Sequence, residues 1–407
     1  MTSTPSPALA HPISSTPITL TGPIRAPRQM LAEQTYNGQL SVHDGETAEK
    51  LGLAGAPIEG PTHFSQFDPL LASVWGDRWF TNGVISSHFL NMVFEGDEVQ
   101  ATVVLDGPGA LTAKIYSAKT DGTPVLEGTA SVDGDLSATA LASRLAKAQE
   151  RDPGQLHILD KLSVGQKGAE EETITVNADD FLGNLYPFSL AQKLSKITES
   201  VSYYDDNSST PNPFGVAIMP IEMMSVISNT GSKRVGFDVR QPSIGLFIDL
   251  EVRLLNGPVL VGRAYRLDRE IVALGQSRRT ESYWTLTTLT DDETNVPTAQ
   301  VLLHSGVFKD SYPELSVRVG DVLSAASWPL VPPGRRASIP TDGEALDREP
   351  RTEMFVNTLV CYTGLQGRCS HASGLRWVVV GRRCHRPRQS DRVSRTTRRR
   401  CPGRVGG

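Results

Sequence analysis

The 23 residues from Val42 to Phe64, VHDGETAEKLGLAGAPIEGPTHF, hold two histidines, four acids and four glycines. Imidazoles and carboxylates crowded in this way can move protons. His63 stands four residues after Glu59, a spacing that brings side chains together on an α-helix. A carboxylate beside apolar surface has a raised pKa and can serve as a base. Glu59 and His63, with His43 and Asp44 near, are therefore a candidate acid/base group. The structural reading of the same residues makes Asp44 the cap of a short helix, Glu59 a solvated charge and His63 a satisfied interior histidine. Gly60 and Pro61 open the next helix. Free backbone N–H groups at a helix start stabilise developing negative charge, and glycine admits close approach by a ligand. The alternative for this pair is an ordinary loop-to-helix turn. His88 and His304 fall in predicted strands and read as structural.

The elements that must hold these residues follow from periodicity. Tyr36–Val42 is a possible short strand, and Thr47–Leu53 a short helix ended by Gly52 or Gly55. Phe64, Phe67, Leu71, Val74 and Trp75 recur at helical spacing from Pro61 to Gly76, with a kink or break expected at Pro69. Strands are predicted over Val84–Phe94, Val99–Leu105, Leu111–Ala118 and Val125–Val132, followed by a helix over Asp135–Gln149. A similar order then recurs: a strand at Thr173–Val176, a helix over Phe188–Ser200 and a second helix opened by Pro220. Strands over Leu246–Leu255 and Val259–Leu267 come next, joined by Asn256-Gly257, a strong hairpin signal. Ile271–Thr290 and Ala299–Phe308 complete the set. One antiparallel sheet has one apolar face to bury; a helix can cover it and a second copy can extend it.

Bulk composition narrows the partners. The net charge of −5 divides into +11 on residues 361–407, which hold twelve Arg and one acid, and −16 on the first 360 residues. That acidic body has no basic stripe for nucleic acid. No apolar run approaches the ~20 residues needed to cross a membrane as a helix. All four Cys (361, 369, 384 and 401) lie in the last segment, so no disulfide framework supports the rest. A zinc site from Cys369, His371, Cys384 and His385 would fit no regular spacing. A misassigned reading frame or an unfolded basic tail accounts better for residues 361–407. Residues 1–34, free of acids before Glu33 and rich in Ser, Thr and Pro, read as a disordered leader. Between these ends the expected units are 35–150 and 151–312, followed by a Pro-rich linker over 313–360. The phosphate loop, the nucleophile elbow and regular metal motifs do not occur in the stretches bearing on the site, so no cofactor and no metal is expected.

A family resemblance emerges from spacing. The order Asp44-x3-Ala48-x3-Gly52, then Gly55, Ile58, Gly60 and a helix, resembles the start of MaoC-like hydratase/dehydratase domains. Phe89-Leu90-Asn91-Met92-Val93-Phe94-Glu95-Gly96-Asp97-Glu98-Val99 is similar to that family's Phe…Pro-Val-Phe-x-Gly-Asp-x-Val strand and turn, with Met92 where the family has proline. The likeness covers about residues 36–132. The second half is similar only in its order of elements and in Phe214-Gly215…Met219-Pro220. The resemblance implies an α+β fold, a double hot dog. In it two antiparallel sheets each wrap a central helix, making an internal pseudo-dimer, with a homodimer of the whole chain also open. It implies a substrate that is a thioester of coenzyme A or acyl carrier protein, to which water is added, or from which it is removed, beside the thioester carbonyl.

The family's base is displaced here. Its pattern, Asp-x4-His, falls on Asn37 and Val42, neither of which can act as an acid or base. His43 is adjacent, but a one-residue shift in an extended segment turns a side chain to the opposite face. In the second half Tyr203–Pro220 contains Asp205 and Asp206 but no His. Glu59 stands where the family often has a histidine before the helix glycine. Three functions therefore stay open: a cytoplasmic hydratase/dehydratase of fatty-acid or polyketide-type metabolism, a thioesterase using Glu59 to activate water, and an acyl-binding protein without activity. Among catalysts, Glu59 and His63 are expected ahead of His43.

Overall fold

The computed structural model describes residues 16–29, 40–132, 134–168, 172–183, 186–206, 211–229 and 237–312. Residues 1–15, residues 30–39 with Asn37 among them, the linker from 313 and the Arg/Cys-rich segment lie outside the described residues. Ten strands form one antiparallel sheet. They are β1 (Ile18–Arg25), β2 (Val84–Phe89), β3 (Val99–Leu105), β4 (Thr112–Lys119), β5 (Pro124–Ser131), β6 (Glu172–Thr175), β7 (Gly245–Leu254), β8 (Ala264–Gln276), β9 (Thr280–Asp291) and β10 (Pro297–Phe308). Their order is β1-β3-β4-β5-β2-β7-β10-β9-β8-β6. Each half repeats the same pairing, and the halves meet at β2 and β7, where Ile85 lies opposite Val252. The two separate sheets expected from sequence are thus joined into one. The open edges of β2 and β7 satisfy each other's backbone groups, which would otherwise be left unpaired in the middle of the chain.

Alternation along the strands turns one face inward. Ile85, Val103, Ile115 and Leu126 from the first half, and Leu250, Val252, Val301 and Leu303 from the second, share one hydrophobic cluster with the helical segments. The first segment is a 3-10 helix, Gly60–Phe67, which passes into α2 (Asp68–Trp75) after α1 (Gly45–Lys50). The break predicted at Pro69 falls at this change of helix type. Phe64, Phe67 and Leu71 are fully buried on the sheet. A short helix, α3 (Arg78–Asn82), follows and buries Trp79 and Phe80. The second segment is a 3-10 turn at Ile221–Met223 leading into α6 (Met224–Asn229). A helix α4 (Ala142–Glu150) follows the first five strands. Leu141, just before it, packs on Ala273, Trp284 and Leu302, and Leu145 joins this contact, on the face opposite the main cluster. The sheet wrapped around central helical segments, in two copies, is a hot-dog architecture.

Four expectations are corrected. Ile18–Arg25, assigned by composition to an unfolded leader, is an edge strand on β3; its Pro23 falls where the register shifts, a place a ladder tolerates proline. The predicted helix over Phe188–Ser200 is only α5 (Leu190–Leu194), capped by Ser189 and Gln192. The run 271–290 divides into β8 and β9 at Ser277–Arg279. Asn256-Gly257 closes no hairpin. Both edges of β7 are already filled, by β2 and β10, so the outgoing chain has no edge to fold back on. Leu255 donates to Thr298 O (2.8 Å) and Gly257 to Thr81 O (3.0 Å), and the chain crosses to the start of the second helical segment.

That crossing is repeated. Met219 N–H donates to Val259 O (2.7 Å) in the second half, and Ile58 N–H to Val93 O (2.8 Å) in the first. In both cases the residue before the N-cap of the central helical segment is pinned by the segment leaving the sheet's middle strand. This pin sets where Glu59 stands.

Candidate active site

Glu59 is the residue immediately before the 3-10 helix, with extended backbone (φ −68°, ψ 136°). Pro61 sets the first turn, which suits a position whose N–H would have no helical acceptor. Gly60 is required by close packing: a Cβ there would lie 2.7 Å from the Phe89 ring. Its own N–H, at the first helical position, has no acceptor one turn back, and Gly60 lines the cavity. Of the pair expected to steady an oxyanion, only Gly60 carries an N–H; Pro61 has none.

The cavity is about 950 Å³ and lies between the two halves of the sheet. His43, Glu59, Gly60 and His63 line one side; Phe237, Leu246, Phe247 and Val307 contribute to the other. Glu59 is 7% exposed and His63 2%. Burial pushes the Glu59 carboxyl up to about 7, against the pull of Lys193 and of a hydrogen bond from Gln29. Burial also lowers His43 to about 4, partly offset by its bond to Pro57, and His63 to about 3, with Lys193 acting in the same direction on both. Both imidazoles are therefore neutral near pH 7.

His43, not His63, meets Glu59. His43 Nε2 is 3.8 Å from Glu59 Oε1, and its Nδ1 is 2.6 Å from Pro57 O. A carbonyl can only accept, so Nδ1 carries the proton and Nε2 presents a lone pair towards the carboxyl. Residues 42 and 43 form a turn rather than extended chain, so the alternation that set His43 aside does not apply. Val42, at the family's histidine position, packs with Ile244 and Phe308. His63 fails to pair with Glu59 for a geometric reason. A 3-10 helix has ~3 residues per turn, so positions four apart diverge by ~120° instead of sharing a face. His63 Nδ1 instead lies 3.3 Å from Gln66 Nε2. Asp44 caps α1, accepting from Thr47 N–H at 2.9 Å, as the structural reading had it.

One residue of the site escaped the sequence reading. Gln29, 1% exposed, accepts from Glu59 N–H through Oε1 and also hydrogen-bonds the Glu59 carboxyl. It lies thirty residues upstream in the stretch assigned to the leader, with no motif to mark it. Behind the site, Lys193 of α5 forms a buried ion pair with Glu222 (3.1 Å) and reaches Thr62 Oγ1 (3.3 Å) in the 3-10 helix. The second half has no counterpart of Glu59. The matching pins place Pro220 opposite it, so no second carboxyl stands at that position. Among the described residues no group of three or more His, Cys, Asp or Glu is placed to hold a metal ion, and no helix is long and apolar enough to cross a membrane.

Fold and site together define a hot-dog protein with a buried carboxyl beside a neutral imidazole at the start of its central helix. Its structure resembles those of MaoC-like dehydratases and double hot-dog proteins. One is a Chloroflexus aurantiacus J-10-fl protein described as a MaoC-domain dehydratase, at 15% identity and TM-score 0.44, covering 72% of this chain and 94% of that one. Another is a conserved hypothetical protein of Mycobacterium tuberculosis with a double hot-dog fold, at 13% identity and TM-score 0.45, covering 72% and 97%. A third is the dehydratase domain of PpsC from Mycobacterium tuberculosis in complex with C12:1-CoA, at 13% and 0.35, covering 62% and 85%. No family model and no curated protein matches the sequence.

Proposed function

We propose that the chain is an acyl-thioester hydratase/dehydratase whose acid/base pair is Glu59 and His43. The observation that carries this reading is the pairing of a neutral imidazole, lone pair inward, with a carboxyl of pKa about 7 at 3.8 Å in a cavity large enough for an acyl chain. The substrate is a 2-enoyl or 3-hydroxyacyl thioester of coenzyme A or acyl carrier protein.

In hydration, His43 Nε2 takes a proton from water as the water oxygen bonds to the β-carbon. The electron pair of the double bond moves towards the thioester oxygen, which Gly60 N–H steadies. Protonated Glu59 then delivers its proton to the α-carbon. The pair is left as imidazolium and carboxylate, 3.8 Å apart, and returns to its starting state by one proton transfer from His43 to Glu59. Dehydration runs the same steps backwards, and the pair holds one proton in either direction.

The test is a panel of enoyl-CoA and 3-hydroxyacyl-CoA thioesters, followed both for the conjugated double bond and for free thiol. Glu59→Gln and His43→Ala are expected to lower hydration by about 10²–10⁴-fold, the usual contribution of a positioned acid or base. His63→Ala is expected to do much less. Thiol release without loss of the double bond supports a thioesterase instead. Binding with neither reaction supports a non-catalytic acyl-binding protein. Full hydration activity in Glu59→Gln contradicts the assignment.

A further inference from the structure

Gln29 holds Glu59 at both ends. Its Oε1 accepts from the Glu59 backbone N–H, and its side-chain amide also hydrogen-bonds the Glu59 carboxyl. Since Oε1 is the acceptor in the first bond, Nε2 is the donor in the second. The residue is itself fixed: its backbone N–H donates to Glu95 Oε1 at 3.0 Å. Glu95 sits in the turn between the segment leaving β2 and the start of β3. Asp97 closes that turn by accepting from Phe94 N–H (2.9 Å) and pairs with Lys119 (2.7 Å). The chain leaving edge strand β1 therefore delivers a buried amide to Glu59, and the Glu95–Asp97 turn holds it there.

From this geometry we infer that Gln29 is a positioning residue for the proposed acid, clamping the Glu59 carboxyl in one rotamer facing His43. Glu59 is the only one of the pair whose carboxyl can rotate away; His43 is already fixed by its Nδ1 bond to Pro57 O. An unclamped carboxyl would have other rotamers open to it in a cavity of about 950 Å³. The same amide donor favours the ionised form of the carboxyl, so its loss should make Glu59 more reluctant to ionise. Gln29 touches no reacting atom and acts through Glu59 alone. The inference rests on the reading of Glu59 as the acid, and the experiment separates the two.

The full chain is prepared as wild type, Gln29→Met, Gln29→Glu and Glu59→Gln. Methionine keeps the volume and loses both hydrogen bonds. Glutamate keeps the acceptor for Glu59 N–H and loses the donor to its carboxyl. Hydration of an enoyl-CoA is measured from pH 4 to 9, and the Glu59 carboxyl is titrated by infrared difference spectroscopy against Glu59→Gln. Both Gln29 variants should move the high-pH limb, and the infrared titration, upwards by ~1 unit, as expected for loss of a buried hydrogen bond to a charged group. Gln29→Met should lower kcat by at least ~10-fold while KM stays within about twofold, since misplacement of a catalytic group acts on kcat. A Gln29→Met or Gln29→Glu protein whose limb and infrared titration match wild type overturns the inference and leaves Glu59 as the acid. An active Glu59→Gln protein overturns the reading on which it rests. Should one Gln29 variant not fold, the other decides on the same two readouts, an unshifted limb and titration overturning the clamp.

Discussion

Lys193→Met should destabilise the fold by about 3–5 kcal/mol, the cost of leaving a buried charge without its partner. The structure sets that magnitude. The Lys193 side chain is 4% exposed and Glu222 fully buried, their N–O distance is 3.1 Å, and neither Glu222 oxygen has a hydrogen bond of good geometry. Removing the ammonium leaves a carboxylate in the apolar cluster formed by Met223, Met224 and Ile227. The double variant Lys193→Met/Glu222→Leu should recover most of the loss, because apolar residues of similar volume replace a buried pair at little or no cost. Urea denaturation, closed as a double-mutant cycle, is the assay. A single-variant loss below about 1 kcal/mol, or a double variant no better than the single, would refute the claim that this pair is desolvated and held mainly by charge.

Two further titrating groups act on stability with opposite signs. Asp68 is fully buried and accepts from Trp79 Nε1 (2.8 Å) and Tyr204 OH (2.5 Å), which ties α2 to the second half. Burial raises its pKa to about 7 despite those bonds, so the stability it allows is full below pH 3.8 and is lost as pH rises towards 7. Asp68→Asn should flatten that decline in thermal unfolding followed from pH 4 to 8; an unchanged slope contradicts it. Asp249, at the seam, accepts from His88 Nδ1 and His304 Nδ1 (2.6 Å each) and pairs with Arg144 (3.1 Å). Those donors hold its carboxyl well below the usual range, overcoming burial, so its contribution is present above pH 3.8 and fades only at strongly acid pH. Asp249→Ala should lower unfolding free energy at pH 7 by about 3–5 kcal/mol, since three donors lose a buried acceptor at once; denaturant midpoints check it.

Strand periodicity located seven of the ten strands as separate runs because alternating burial writes itself into each run. It missed β1, whose Thr, Gly and Pro suit an edge strand as well as a leader, and it merged β8 with β9. Pairing was harder to read than strand position. Asn256-Gly257 is a hairpin signal only if the strand before it has a free edge, and β7 has none. Glu59 was visible from its place before the helix glycine. Its partner was mistaken because i,i+4 reasoning assumes an α-helix, while Gly60–Phe67 is 3-10, and because residues 42 and 43 turn instead of extending. Gln29 was invisible in principle: its contact with Glu59 spans thirty residues and depends on β1 lying beside β3. The helix expected over Phe188–Ser200 was overestimated since burial between sheet and helix, rather than propensity, fixes where it stops.

The proposed chemistry is tested most directly by the pH dependence of kcat/KM for hydration, which reports the free enzyme. Activity needs His43 neutral and Glu59 protonated. With His43 lowered to about 4 and Glu59 raised to about 7, the profile should rise through about 4, hold level, and fall through about 7. Glu59→Gln should remove the upper limb along with most of the activity. A profile that instead rises through about 7 would show the Glu59 carboxylate acting as a base, and would contradict the acid role on which the mechanism stands.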